Sequence, residues 1–140
     1  MKSLNRIYCD GAAIPNPGKK IIAVVCPDLN KEIVEETGYG TNSEAEYEAF
    51  IKALELAKDL GLKKFTLCSD SMLVLKQLAG EWSIKQEKFL AYKEQFDKLK
   101  ENFEEIDFEW IRGETNPAHR KIEKLYPNHM KIFSFKGKKG

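Results

Sequence analysis

Up to Tyr39, apolar residues come in short runs separated by AAIPNPG and PDLN, whose proline, asparagine and glycine mark turns. The runs at Leu4 to Cys9, Lys20 to Cys26 and Lys31 to Tyr39 therefore predict three strands of an antiparallel meander. The period then changes. From Ser43 to Leu60, Phe50, Ala53, Leu54, Ala57 and Leu60 form a helical stripe, and Gly61 stands where a helix-ending glycine belongs. Lys64 to Ser69 reads as a strand, Ser71 to Ala79 as a short helix closed by Gly80, and Gln86 to Phe103 as a charged helix with Phe89, Tyr92, Phe96, Leu99 and Phe103 on one face. Ile106 to Ile111 is a last strand, and Ala118 to Tyr126 a last helix stopped by Pro127. The order βββαβααβα predicts an α/β fold with one mixed sheet covered by helices.

With 140 residues, 42% hydrophobic and 32% charged, the chain suits one cored domain, expected over residues 1–126, followed by a basic tail over 127–140. The longest aliphatic run, Ile21 to Cys26, is far below the roughly 18 residues of a membrane span, and no secretory signal is read at the N-terminus. Cys9, Cys26 and Cys68 are odd in number and lack C-x-x-C spacing, which predicts reduced core thiols in a cytoplasmic protein. A net charge of +1 makes no global case for a polyanion partner. Lys131, Lys136, Lys138 and Lys139 form an acid-free tail that reads as a solvated terminus, and a monomer is expected.

The chemistry is concentrated in three acids at element boundaries: Asp10 in IYCDGAAIPNPG, Glu46 in TNSEAEYEAFIKALELA and Asp70 in FTLCSDS. Together they would make a pocket suited to a divalent cation. Each also has a structural explanation. Asp10 reads as an Asx-turn at a strand end, Ser43 and Glu46 as a capping box, and Asp70 as the N-cap of the helix after it.

The strings DGxxxxNPG, TNxxAEYEA and SDS, in that order and setting, resemble type 1 ribonuclease H, particularly its compact archaeal and bacterial form. The match runs from about Arg6 to Arg112. The resemblance implies a ribonuclease H-like five-stranded sheet, three strands antiparallel and the rest parallel, flanked by helices. It also implies a metal-dependent endonuclease that hydrolyses the RNA strand of RNA-DNA hybrids, with Asp10, Glu46 and Asp70 holding two Mg²⁺ ions and Mn²⁺ as a substitute. By the same carry-over, Asn16 would approach the RNA strand, and Thr41 and Asn42 the DNA strand. Ser43 replaces an amide side chain common in the family. GEWSIK, Gly80 to Lys85, resembles the connector of the compact enzymes, in which Lys85 and Lys88 are candidate phosphate contacts. Trp82 reads as packed over the helix junction with its N–H bonded.

The chain departs from the family pattern RExNxxADxLA, which supplies a fourth carboxylate. Here the segment reads IRGETNPAHRKIEKL. Counting from Ala118 puts His119 in the aspartate position, and counting from Asn116 puts Arg120 there. His119 is preferred because imidazole can ligate a metal or accept a proton. Glu123, one turn on, is a secondary candidate, and His129 reads as tail surface. The missing carboxylate motivates two alternatives: a hybrid-binding module with weak or no catalysis, and another nuclease or reverse-transcriptase-associated domain of the same superfamily.

Overall fold

A computed structural model describes residues 5–127. Of the basic tail expected over 127–140, all but Pro127 lies outside the described residues, with His129, Lys131, Lys136, Lys138 and Lys139. The elements are β1 (Asn5–Ile14), β2 (Gly18–Cys26), β3 (Lys31–Gly40), α1 (Asn42–Asp59), β4 (Lys64–Ser69), α2 (Met72–Leu78), α3 (Glu87–Lys100), β5 (Glu105–Trp110) and α4 (Pro117–Leu125). The order of strands and helices is the expected one. The strands form one sheet in the order β3-β2-β1-β4-β5. β1, β2 and β3 pair antiparallel, whereas β4 joins β1, and β5 joins β4, in parallel.

The β2 sequence IIAVVC is apolar on both faces because both faces are covered. Ile22, Val24 and Cys26 join the main core with Ile7, Cys9, Phe50, Leu54, Phe65 and Leu67. Ile21, Ala23 and Val25 meet Ala118 and Ile122 of α4 on the other side. Burial at about 25 cal/mol per Å² of apolar surface is what holds α1 and α4 on opposite faces of β1 and β2. β3, by contrast, is a largely exposed edge carrying Lys31, Glu32, Glu35 and Glu36, charges that discourage pairing with another sheet. Cys9, Cys26 and Cys68 are free and buried.

Two boundaries differ from the sequence reading by more than two residues. β1 runs on through Asp10 and Gly11 to Ile14, so Asp10 sits within a strand opposite Ala23 and forms no Asx-turn. α3 ends at Lys100, and Phe103 lies in the turn beyond it, its ring packed edge-on against Phe65 at 5.1 Å. Among the described residues, no helix is long and apolar enough to cross a membrane.

Candidate active site

Alternation along β1 decides where Asp10 looks. Ile7 and Cys9 enter the core beneath α1, whereas Tyr8 packs toward α4, and Asp10 is in phase with Tyr8. Gly11 lets α1 come close: a Cβ there would lie 2.3 Å from the Ala45 carbonyl oxygen. That approach brings the first turns of α1, and with them Glu46, to the same end of β1. Asp70 directly follows β4, the parallel neighbour of β1. Its backbone is held by the Trp110 indole, which donates to the Asp70 carbonyl at 3.0 Å.

Neither Glu46 nor Asp70 is needed as a cap. The capping box of α1 is Thr41 with Glu44, set two residues earlier than the expected Ser43 and Glu46: the Thr41 side chain accepts from the Glu44 N–H, and Glu44 Oε1 accepts from the Thr41 N–H at 2.9 Å. The cap of α2 is Ser71, which accepts from the Val74 N–H, so the expected cap at Asp70 is also displaced. Both carboxylates are thereby left for the site.

α4 completes it. Asn116 caps this helix by accepting from the Ala118 N–H at 3.0 Å, and Pro117 occupies the first turn, where no donor is required. The resulting pose places His119 Nδ1 3.1 Å from Asp10 Oδ2. Ligand atoms of Asp10, Asp70 and His119 lie within 4.8 Å of one another, a group that could hold a metal ion. Glu46 is outside that tight group but close enough to feel the charges of Asp10 and Asp70. Ser71 Oγ donates to it at 3.3 Å. Arg120, the competing alignment, is exposed, as is Glu123.

Among the described residues no lysine or arginine pairs with Asp10, Glu46 or Asp70, and the electrostatics follow from that. Burial, then the Asp10 charge, pushes the Glu46 carboxyl up to about 8. The same two causes push Asp70 up to about 6, with His119 and Asn116 acting in the opposite direction. His119 is raised above its ordinary value, chiefly by its hydrogen bond to Asp10, against the effect of burial. The donors are hard carboxylate oxygens and one imidazole nitrogen, and the carboxylates repel one another when no cation is present. That set fits a divalent metal.

Asn116 carries more than the sequence reading gave it. Fully buried, it donates through Nδ2 to the Cys9 carbonyl at 3.1 Å and to Asp70 Oδ2 at 3.4 Å. One side chain thus joins β1, Asp70 and α4. Its role as a cap before proline is visible in the sequence, whereas its contacts across the site are not.

The remaining candidates flank the cluster. Asn16 Oδ1 accepts from the Asn42 N–H at 3.1 Å, and Asn42 Oδ1 accepts from the Ala13 N–H at 2.7 Å, which ties the β1–β2 turn to the start of α1. Ser43, Leu73, Trp82, Ile84, Lys85 and Phe89 line a groove of about 550 Å³ between α1, α2 and the connector. Trp82 is 47% exposed, and among the described residues its indole N–H has no partner, so the expected packed and bonded indole is not what forms. Lys88 stands outside the groove lining, its ammonium 5.1 Å over the Phe89 ring.

A family model described as reverse transcriptase-like matches residues 9–122. The chain belongs to the type 1 ribonuclease H-like family. It is 44% identical over 79 residues to ribonuclease HI of Halobacterium salinarum, a match covering 54% of this chain and 40% of that relative. The crystal structure of ribonuclease H1 from the same archaeon superposes with a TM-score of 0.77 at 31% identity, covering 88% of this chain and 98% of that one. A ribonuclease H1 designated LC11, solved in complex with an RNA/DNA hybrid, superposes with a TM-score of 0.71 at 29% identity over 80% of this chain and 88% of that one. The five-stranded sheet and its helices are those of the family.

Proposed function

We propose that this chain is an endoribonuclease that hydrolyses the RNA strand of RNA-DNA hybrids, and that Asp10, Glu46 and Asp70 hold its divalent metal. The observation that carries the proposal is the convergence of Asp10, Asp70 and His119 on one point, with Glu46 beside them and, among the described residues, no lysine or arginine paired with the acids. Bound there, Mg²⁺ (two ions, as the family implies) or Mn²⁺ in its place would supply a Lewis acid that makes water nucleophilic and stabilises the leaving 3′ oxygen. Asn116 keeps the Asp70 carboxylate turned inward, and Ser71 does the same for Glu46. When Nδ1–H of His119 donates to Asp10, Nε2 retains the lone pair and can accept a proton or ligate the cation.

Substrate contacts are assigned to Asn16, Thr41, Asn42, Lys85 and Lys88. Since the Oδ1 atoms of Asn16 and Asn42 are engaged by backbone N–H groups, their Nδ2 groups remain to donate to the nucleic acid. Selectivity for the hybrid would arise from 2′-hydroxyls on one strand and tolerance of a DNA-like partner on the other. The presence of His119 within the cluster argues against the alternative of a binding module without catalysis. Three free, buried thiols support a cytoplasmic setting. The test is cleavage of a uniformly labelled hybrid with Mg²⁺ or Mn²⁺, compared with duplex DNA and duplex RNA. Cleavage confined to the RNA of the hybrid is expected, and hybrid binding without cleavage in either metal would overturn the proposal in favour of the binding module.

A further inference from the structure

Gln77 lies on α2, away from the acids, and is 7% exposed although its side chain is an amide. A buried amide has donors and an acceptor to satisfy, and leaving them unmet costs stability. Both ends are engaged. Tyr47 OH of α1 donates to Gln77 Oε1, and Gln77 Nε2 donates to the Ser83 carbonyl at 3.3 Å. Tyr47 is itself fixed, its ring stacked parallel to Tyr92 at 5.4 Å and tilted against Phe89 at 4.8 Å, both on α3. Ser83 is in the connector between α2 and α3, which has no regular secondary structure from residue 83 to residue 85.

The connector leaves α2 through Gly80, at φ 87°, with the Glu81 and Trp82 N–H groups both donating to the Lys76 carbonyl. Beyond Trp82 two attachments hold it before α3 begins: the Gln77 bond to Ser83 and the partly buried Ile84 against the core. Trp82 and Lys85 stand on either side of those attachments and line the groove, as Gln77 and Tyr47 do from beneath. A long lysine side chain on an irregular segment presents its charge at a fixed place only if the backbone below it is fixed.

We propose that Gln77 is a positioning residue for substrate binding: by clamping Tyr47 on α1 to the Ser83 carbonyl, it sets the distance between the helix that carries Glu46 and the connector wall that carries Trp82 and Lys85. It acts on affinity through that wall and touches neither the metal ligands nor the scissile bond. The functional half of the proposal rests on the hybrid reading of the groove, whereas the clamp itself does not.

Two variants separate the contributions. Gln77→Leu removes both hydrogen bonds, and Gln77→Glu keeps the acceptor for Tyr47 while losing the donor to Ser83. In the full chain without nucleic acid, the Trp82 indole N–H resonance, assigned with Trp82→Phe, is expected to move or broaden in both variants. In hybrid cleavage, KM should rise about tenfold, or ~1.4 kcal/mol, with saturated turnover within about twofold. Combining Gln77→Glu with Lys85→Ala should raise KM little beyond the larger single effect, because both act on one contact. An unmoved Trp82 resonance in Gln77→Glu overturns the clamp, and multiplicative KM effects or a loss confined to turnover overturn its link to binding. If the wild-type protein cleaves no hybrid, that reading falls and the resonance alone decides the clamp. If Gln77→Leu fails to fold, the decision passes to Gln77→Glu.

Discussion

Glu46 and Glu48 stand two residues apart on α1, yet their carboxylates meet opposite surroundings. At that spacing two helical side chains point away from each other. Glu48 turns to Lys20 at 2.5 Å, the Thr37 hydroxyl at 2.6 Å and the Tyr92 hydroxyl at 2.9 Å, so strands β2 and β3 and helix α3 all donate to it. Glu46 turns to Asp10 and Asp70 and receives one bond from Ser71. The first arrangement ties the sheet to two helices. The second leaves charges facing one another, which costs stability in the absence of a cation, and nothing in the packing requires it. A buried carboxylate with its donors in place is explained by the fold. One set among other carboxylates is explained by what it can bind.

The largest effect should come from the unsatisfied cluster. Asp70→Asn is expected to cut hybrid cleavage roughly a thousandfold while leaving the circular dichroism spectrum and the melting temperature unchanged or slightly raised, because a repelling charge is lost. Retained cleavage would remove Asp70 from the metal site. The matching change in the satisfied cluster should do the reverse. Lys20→Ala leaves Glu48 without its ammonium and should cost about 3 kcal/mol in urea unfolding, with turnover of the remaining folded protein close to that of the wild type. An undiminished unfolding free energy would show that Lys20 and Glu48 do not hold the sheet to α1.

The pH dependence of stability sharpens the contrast next. Glu46 titrates near 8 when folded against an ordinary 4.5, and Asp70 near 6 against 3.8, so between those values the folded state binds more protons than the unfolded state. Stability therefore falls by several kcal/mol as pH rises from about 4 to about 8. His119, raised by Asp10, acts in the same sense, since its contribution is present at low pH and is lost as pH rises through its folded pKa. Adding Mg²⁺ or Mn²⁺ should flatten this slope, as should Glu46→Gln, when urea unfolding is followed across pH. A slope unaffected by metal would mean that the repulsion is not relieved by cation binding.

The smallest effect is expected at His119. An imidazole in place of a carboxylate removes one negative charge and favours Mn²⁺ over Mg²⁺. His119→Ala should lower turnover about fivefold, and His119→Asp should restore the use of Mg²⁺. In the wild type, activity should fall as pH drops through the imidazole range, beginning above 6.5 because Asp10 favours the protonated ring. Equal rates for the three proteins in both metals would make His119 a bystander.

Much of this was open to reading from the chain alone, because hydrophobic period and turn residues are local. The nine strands and helices among the described residues, the antiparallel meander and the change to strand-helix alternation all follow from spacing that packing has no reason to override. His119 could be placed by counting from Ala118, and the three acids by the motifs around them. The cap of α1 could not be settled that way, since Thr41 with Glu44 and Ser43 with Glu46 both satisfy the same four-residue pattern. The direction in which the chain leaves β3 chooses between them, and that choice releases Glu46 to the site. Likewise the continuation of β1 through Asp10 depends on its pairing with Ala23 of β2, and the three jobs of Asn116 depend on partners as much as 107 positions away. Tertiary structure alone decided that Trp82 stays half-exposed and that Gln77, which reads as an ordinary polar residue of a short helix, is buried between Tyr47 and Ser83. Spacing along a chain reports which face a residue occupies, but the partner on that face is set only when distant segments meet.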